Sequence, residues 1–258
     1  MYQDMEKRLI YICLFQDKNY IQLLTLLLKS ILLNCKNDKF DILIYTSSAL
    51  KEQIITMKLE NNLSRGRKTI FHVNDEIKNK EEACSSRLDV FNFPLICDYQ
   101  KILYLDIDII IEQSLEPIFR LVLEDKLYAL KECDDISQHE SEYFGKILFG
   151  KEIYSFKDKS GFNSGVLLFN NCIRIRELFQ IIKLDMVKRK QLMYFYDQPF
   201  IIYNTKKLNL CDNTSLEKYV RLSHDNSRKT AIVHFSGGVS ANYNKIDTMR
   251  NYLSEIWL

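Results

Sequence analysis

The stretch KILYLDIDIII, residues 101–111, is an apolar strand pattern that two aspartates interrupt, Asp106 and Asp108. Alternate residues of a strand project from the same face, so a strand that continues through this stretch aims both carboxylates at one point. Two carboxylates in an apolar setting repel each other and are costly to bury unless a positive group neutralises them. A divalent cation does so, and oxygen ligands suit Mg²⁺ or Mn²⁺. The pattern therefore predicts a metal site, with a strand end that simply faces water as the alternative.

The segments before this stretch alternate between strand and helix patterns. Strands are predicted at residues 9–15, 40–45 and 69–73, and helices at residues 20–34, 50–59 and, up to the turn near Pro94, 81–97. This alternation is typical of a largely parallel sheet with covered faces, in which ligands bind at the carboxyl ends of the strands. Residues 1–112 are therefore interpreted as a nucleotide-binding half.

The pattern changes after Pro117. An irregular polar stretch is predicted at residues 133–159. The other predicted elements are a helix to about residue 124, strands at 128–131, 165–169 and 231–235, and helices at 174–190, 198–203 and 247–257. With seven glycines and three prolines in the chain, no composition break marks a linker. We therefore predict one α/β domain over residues 1–258, in which residues 113–258 form an acceptor-binding half.

Composition narrows the class of protein. A chain of 258 residues with 47% apolar content can build a large core. The net charge of +2, spread over dispersed basic residues, predicts no nucleic-acid partner. Seven widely spaced cysteines without a Cys-x-x-Cys pair are typical of a reducing compartment, so a cytoplasmic location is expected. Asp17, Lys18 and Lys29 interrupt the apolar segments near the N-terminus, so no transmembrane segment is predicted.

Two further segments carry polar residues beside apolar runs. FNSGVLLF, residues 162–169, has Asn163, Ser164 and Gly165 just before a buried strand. Glycine permits close backbone approach, and asparagine offers donors and acceptors for sugar hydroxyls, although a plain turn is the alternative. YDQP, residues 196–199, reads first as a helix start with Asp197 as the N-cap, which gives no reason for Gln198.

A histidine ends the last apolar strand, in HFSGG at residues 234–238. Such a histidine is usually structural, but neutral imidazole is also a common metal ligand. His234 joined to the two aspartates would give two carboxylates and one nitrogen, with positions open for substrate oxygens. Gly237 and Gly238 could let backbone N–H groups approach a phosphate.

Five motifs, in this order and at these intervals, resemble glycosyltransferase family 8, which includes glycogenin and bacterial lipopolysaccharide galactosyltransferases. The motifs are Arg87-Leu88, Tyr104-Leu105-Asp106-Ile107-Asp108, Phe162-Asn163-Ser164-Gly165-Val166, Asp197-Gln198 and His234-Phe235-Ser236-Gly237. The match extends from about Ile10 to Tyr243. The resemblance implies a single-domain nucleotide-diphosphosugar transferase (Rossmann-like) fold and a retaining transfer of a hexose from a UDP-sugar to an acceptor hydroxyl.

The resemblance also implies roles for individual residues. Asp106, Asp108 and His234 match the family's ligands for Mn²⁺, with Mg²⁺ as the alternative. Asp17, Asn19 and Tyr20 match the nucleoside-binding loop after the first strand, with Tyr20 near the uracil. Around the donor sugar and phosphates the matching residues are Arg87, Asn163, Ser164, Asp197 and Gln198.

The chemistry of sugar transfer leaves two mechanisms open for Asp197 and Gln198. An amide oxygen is a weak nucleophile, so we expect front-face substitution, in which the departing phosphate oxygen assists deprotonation of the acceptor. A covalent step on Asp197 is the alternative. The acceptor is expected to be a glycan, a glycoprotein or a lipid-linked sugar, and a homodimer is left open.

The segment after His234 departs from the family pattern, which has a lysine and then Pro-Trp soon after the histidine. Here the nearest lysine is Lys245, and no Pro-Trp follows. We expect Gly237 and Gly238 to bring backbone donors, and Lys245 its charge, to the diphosphate, with residues 239–244 as a flap. The alternative is that Lys245 faces water.

This departure also keeps a second function open, a non-catalytic or weakly hydrolytic UDP-sugar-binding protein. A phosphoryl- or nucleotidyl-transfer enzyme would also use an Asp-x-Asp and a metal. Such an enzyme more often has a Gly-rich phosphate loop, and the loop after the first strand here has no glycine.

Overall fold

Strands and helices alternate through the first half of the chain, as the sequence predicts. The computed structural model describes residues 6–57, 67–121, 124–193, 195–225, 229–237 and 244–256. The strands of these residues are β1 (Arg8–Leu14), β2 (Asp41–Thr46), β3 (Thr69–Val73), β4 (Lys101–Leu105), β5 (Ile109–Ile111), β6 (Leu127–Cys133), β7 (Gly161–Asn170), β8 (Cys211–Asp212), β9 (Val220–Leu222) and β10 (Ile232–His234). The helices are α1 (Tyr20–Asn34), α2 (Ser48–Thr56), α3 (Lys80–Ser85), α4 (Glu116–Phe119), α5 (Lys146–Phe149), α6 (Ile173–Lys188), α7 (Gln198–Lys207) and α8 (Lys245–Ile256).

The strands form a large and a small sheet. The large sheet has the order β3-β2-β1-β4-β7-β6-β8, and β7 runs antiparallel to both of its neighbours, whereas the other pairs are parallel. The small sheet has the order β5-β10-β9. This architecture confirms the predicted single α/β domain with a mostly parallel central sheet.

Both faces of the large sheet are covered, because its central strands are apolar on both sides. In β1, Leu9 and Tyr11 belong to the core on one face, and Ile10 and Ile12 belong to the core on the other. This alternation is the two-residue period of a strand applied to a sheet that is buried on both faces. Helix α1 covers the second of these faces with a stripe of leucines and isoleucines.

The stretch at residues 101–111 is not the continuous strand that its apolar pattern predicts. Strand β4 ends at Leu105, and β5 begins at Ile109 in the other sheet. Backbone bonds to two different segments flank the break: Asp106 N–H donates to the Gly165 carbonyl at 2.8 Å, and the Asp108 carbonyl accepts from Phe235 N–H at 2.9 Å. The chain therefore crosses from one sheet to the other at the two aspartates.

Several predicted boundaries were wrong. The helix expected over residues 81–97 is α3, opened by a capping box between Asn79 and Glu82, followed by 3-10 turns at Ser86–Asn92 and Ile96–Asp98. The helix expected up to residue 124 ends at Phe119. The stretch at 133–159 contains short helical turns, and β8 and β9 were not predicted. Among the described residues, no helix combines the length and the apolar character that crossing a membrane requires.

Candidate active site

A cavity of about 820 Å³ opens where β1 and β4 end. Parallel strands of an α/β sheet present their carboxyl ends at one edge, which is where such folds bind ligands. The cavity is lined by the loop after β1, by α3, by the turn after β4 and by the start of α8; its polar and aromatic members include Asp17, Asn19, Tyr20, Lys80, Arg87, Tyr104, Asp106, Asp108 and Lys245.

Asp106, Asp108 and His234 converge at this cavity, with ligand atoms that all lie within 4.8 Å of one another. The antiparallel pairing of β5 with β10 sets His234 opposite Ile109, next to Asp108 in the chain. His234 Nε2 lies 3.1 Å from Asp108 Oδ1 and 3.8 Å from Asp106 Oδ2. The carboxylates thus meet through a bend between two sheets and not along one strand face.

Gly165 keeps the space beside this triad bare. A Cβ at that position would lie 2.2 Å from His234 Cε1 and 2.8 Å from Asp106 Oδ2, so any side chain there would force one of these ligands to move. His234 Nδ1 is buried and has no hydrogen-bond partner in the described residues. The donor set of two carboxylates and one imidazole suits Mn²⁺ or Mg²⁺, and the space beside Gly165 leaves room for such an ion. These residues therefore fit the predicted metal.

Opposite charges in and beside the triad shift the pKa values of Asp108 and His234. Burial by itself would raise the pKa of Asp108, but His234 and Lys245 outweigh it and hold that pKa well below its usual range. Burial likewise lowers the pKa of His234, but Asp108 and Asp106 outweigh it, so that the pKa is raised. The Asp108 carboxylate is therefore available in its charged form.

Arg87 joins the triad to the segment that contains Asp197 and Gln198. It is buried, and its Nη1 donates to the Ser164 carbonyl at 2.6 Å and lies 3.4 Å from Asp106 Oδ1. Its Nε lies 2.9 Å from Asp197 Oδ2. The guanidinium also packs over the Tyr104 ring, 4.9 Å from its centroid, an arrangement that favours a fixed cation.

Asp197 does not cap α7 with its side chain, although it stands at the N-cap position. Tyr196, immediately before it, has a φ of +57°, which turns the chain so that the Asp197 carboxylate lies against Arg87. Burial raises the pKa of Asp197 to about 6, the opposite charge of Arg87 lowers it, and Asp106 raises it further. The capping interpretation is therefore wrong for this side chain.

The start of β7 holds two neighbouring sets of hydrogen bonds, one between Ser164 and Gln198 and one made by the side chain of Asn163. Gln198 Oε1 accepts from the Ser164 N–H and from the Ser164 hydroxyl, both at 2.9 Å. Asn163 Oδ1 accepts from the Gly165 N–H at 2.8 Å, and Asn163 Nδ2 donates to Glu132 Oε2 at 3.1 Å. These bonds fix the amide groups beside the metal triad.

The loop after β1 also lines the cavity. Gln16 has a φ of +68°, and Asp17 Oδ1 accepts from the Asn19 N–H at 2.8 Å, which closes a tight turn before α1. Tyr20 starts that helix with 41% of its surface exposed, so its ring is accessible to a ligand in the cavity.

Lys245 does not face water. Its Nζ lies 2.6 Å from Asp108 Oδ2, and 14% of its side chain is exposed. Gly237 has a φ of +109° and would meet no atom within 4 Å with an added Cβ. Gly238 and residues 239–243 of the expected flap lie outside the described residues.

Sequence reasoning missed several residues near the site. Tyr104 supports Arg87 and donates its hydroxyl to Asp106 at 2.5 Å; its position two residues before Asp106 in a strand was a usable signal. Glu132 lines a second cavity of about 530 Å³ together with His139, Tyr143 and His224. Gln198 Nε2 reaches the Tyr143 carbonyl at 3.4 Å, so this cavity adjoins Gln198. No sequence motif marked it.

Comparisons with known proteins agree with this geometry. The sequence model of glycosyl transferase family 8 matches residues 11–240. A search of curated protein sequences finds no significant match.

Solved structures show the same fold at low sequence identity. The galactosyltransferase LgtC in complex with donor and acceptor sugar analogs matches with 17% identity and a TM-score of 0.68, over 96% of this chain and 95% of that one. The glycosyltransferase GlyE of Streptococcus pneumoniae TIGR4 matches with 18% identity and a TM-score of 0.63, over 97% of this chain and 62% of that one. Mouse xyloside xylosyltransferase 1 matches with 15% identity and a TM-score of 0.60, over 88% of this chain and 97% of that one. Because the family model matches most of the length of this chain, the chain belongs to glycosyl transferase family 8 and is a glycosyltransferase.

Proposed function

We propose that the protein is a retaining transferase that moves a hexose from a UDP-sugar to an acceptor hydroxyl, with Mn²⁺ or, alternatively, Mg²⁺. The observation that carries this proposal is the convergence of Asp106, Asp108 and His234 on the edge of an 820 Å³ cavity. That volume is typical of small-molecule sites. Membership of the family supports the reaction class, and the positions of the individual residues support their proposed roles in binding the nucleoside, the metal and the sugar.

The donor would lie across the cavity from the loop after β1 to the metal triad. Asp17, Asn19 and Tyr20 would hold the nucleoside, with the exposed Tyr20 ring against the uracil. Asp106, Asp108 and His234 would hold the metal, which when bound neutralises the diphosphate and so stabilises it as a leaving group.

Front-face substitution fits the hydrogen bonds of Gln198 and Asp197 better than a covalent step does. Gln198 Oε1 already accepts two hydrogen bonds from Ser164, which lowers the nucleophilicity of an amide that is weak to begin with. The Asp197 carboxylate is buried in an ion pair with Arg87. Both groups are suited to facing the positive charge that develops on the sugar.

The second cavity supports an acceptor position on the other side of Gln198. Glu132, His139, Tyr143 and His224 offer several hydrogen-bonding groups within one concave surface. We propose an acceptor hydroxyl of a glycan, a glycoprotein or a lipid-linked sugar there.

All seven cysteines are free thiols, which supports a cytoplasmic location, and homodimer formation stays a prediction.

The test is release of UDP from a panel of UDP-hexoses, with Mn²⁺ and with EDTA, for the wild type and for Asp108→Asn. We expect EDTA to abolish release and the substitution to lower the rate about 100-fold or more, as when one stabilising group is removed. Asp98→Asn is the control, since Asp98 lies just before the other end of β4 and its side chain, within the described part of the chain, pairs with exposed Lys7 at 3.8 Å.

Two other outcomes have distinct meanings. Full turnover in EDTA would contradict the metal role of the triad. Binding of a UDP-sugar without UDP release, or slow release to water alone, would favour the alternative function of a non-catalytic or weakly hydrolytic binding protein. Thermal shifts with each UDP-sugar and Mn²⁺ measure binding separately from turnover.

A further inference from the structure

Lys245 lies where it meets a proposed metal ligand. As the first residue of α8, it extends its ammonium to 2.6 Å from Asp108 Oδ2, while His234 Nε2 lies 3.1 Å from the other oxygen of that carboxylate. The side chains of Lys245 and Asp108 are each 14% exposed. Both oxygens of Asp108 are thus engaged by groups of this chain.

The two aspartates have their own counter-ions, but these are held differently. Arg87, 3.4 Å from Asp106, is also fixed by Ser164, Cys84 and Asp197. Within the described residues, Asp108 is the acceptor of the Lys245 ammonium. A lysine on a flexible four-carbon stem can leave such a contact while its backbone stays in place.

The backbone of α8 is anchored independently of the ion pair. Met249 and Leu253 are buried in one cluster with Ile110, Val233 and Phe235, which belong to or follow β5 and β10. Helix α8 is therefore packed on β5, which Asp108 immediately precedes, and on β10, which ends at His234. The Lys245 side chain can move between positions near the triad without a change in this packing.

We propose that Lys245 is an internal counter-ion that competes with the metal for Asp108, so that the contact of its ammonium with the diphosphate, which the sequence predicts, forms only after the ammonium leaves this carboxylate. This inference rests on the proposed function. An ammonium and a divalent ion repel at the spacing of one carboxylate, so they exclude each other until phosphate charge is added. Metal and nucleotide then assist each other's binding through one side chain, and that coupling is reciprocal.

The experiment measures Mn²⁺ affinity by titration calorimetry, first without nucleotide and then with UDP, for the wild type, Lys245→Met and Lys80→Met. Lys80 is the matched control, because it lines the same cavity but packs its ammonium over the Tyr196 ring at 5.2 Å and not on Asp108. Both substitutions remove one positive charge from the cavity. Only Lys245→Met removes the competitor.

Without nucleotide, we expect Lys245→Met to bind Mn²⁺ about 10-fold more tightly than the wild type, the scale of a hydrogen bond between charged groups. Lys80→Met should change this affinity less than threefold. At saturating Mn²⁺, Lys245→Met should bind UDP about 10-fold more weakly, so the factor by which UDP tightens Mn²⁺ binding falls. Lys245→Arg keeps the charge and should stay near the wild type.

An unchanged or weaker Mn²⁺ affinity in Lys245→Met would overturn the competition, as would equal gains in Lys245→Met and Lys80→Met, which indicate general charge alone. If circular dichroism shows that Lys245→Met is unfolded, Lys245→Gln takes its place in the same titrations. Absence of Mn²⁺ binding in the wild type and all variants, with and without UDP, would instead overturn the proposed metal function.

Discussion

At the scale of one residue, Gly165 decides whether the metal triad has room. An added Cβ would overlap His234 Cε1 at 2.2 Å and crowd Asp106 Oδ2 at 2.8 Å, so one of these ligands would have to move. We expect Gly165→Ala to lower Mn²⁺ affinity at least about 10-fold and to destabilise the fold by about 1–3 kcal/mol, as overpacking does. Calorimetry and urea unfolding measure the two effects.

Gly161 offers a steric control on the same strand. A Cβ there would lie 2.6 Å from Phe144 Cδ1, away from the triad. Gly161→Ala should therefore destabilise the fold while Mn²⁺ affinity stays within about threefold of the wild type. Equal losses of Mn²⁺ affinity in both variants would show that the effect on the metal is indirect.

Asp197 gives a pH dependence that can be measured by unfolding. Burial raises its pKa from 3.8 to about 6, against the opposing charge of Arg87 and with a further rise from Asp106. The folded state therefore binds this proton more tightly than the unfolded chain, and the contribution of Asp197 to the free energy of unfolding falls as pH rises through both values.

Asp197→Asn removes this titration while Arg87 stays charged. Relative to the wild type, the free energy of unfolding of the variant should rise by up to about 3 kcal/mol between pH 4 and pH 7, since each pKa unit is worth about 1.4 kcal/mol. Urea unfolding with EDTA at several pH values gives the difference. A difference that is constant with pH would contradict the raised pKa.

At the scale of elements, the sequence predicts those parts that local patterns determine. Helix α1 and strand β3 have the predicted bounds, because an apolar stripe and a short β-branched run are local signals. On either side of the break between β4 and β5, the backbone bonds to a different residue distant in sequence, Gly165 before it and Phe235 after it. An apolar run by itself does not indicate which sheet it joins.

The short strands illustrate the same limit. Strand β8 pairs over Cys211–Asp212, and β9 pairs over Val220–Leu222. Two or three residues are too few for a period of two to appear in the sequence, so tertiary pairing determines them. The 3-10 turn at Ser86–Asn92, which carries Arg87, also has no pattern that distinguishes it from the helix before it.

At the scale of the whole molecule, the site lies where the two sheets meet. The residues of this site come from five separate segments: Arg87 and Asp106 line the cavity, Ser164 and Asp197 contact Arg87, and His234 lies 3.8 Å from Asp106. Through the family resemblance, motif order along the chain pointed to all five of these residues. It did not predict Tyr104 or Glu132, because their roles depend on which side chains they face.

The same arrangement argues for retention of the anomeric configuration in the product. Front-face substitution needs the acceptor on the side of the leaving phosphate, with Gln198 and Asp197 as fixed polar groups, and both are held by Ser164 and Arg87. Inversion needs a carboxylate base on the opposite face of the sugar. Glu132 is the carboxylate to consider as that base, and its Oε2 already accepts a hydrogen bond from Asn163 Nδ2 at 3.1 Å.

We therefore expect the product linkage to have the configuration of the UDP-sugar. The measurement is the coupling constant of the anomeric proton in the NMR spectrum of the disaccharide formed by the wild type. Burial raises the pKa of Glu132, which would suit a base, so Glu132→Gln tests the rival route directly. An inverted product whose formation is lost in Glu132→Gln would contradict front-face substitution and assign the base to Glu132.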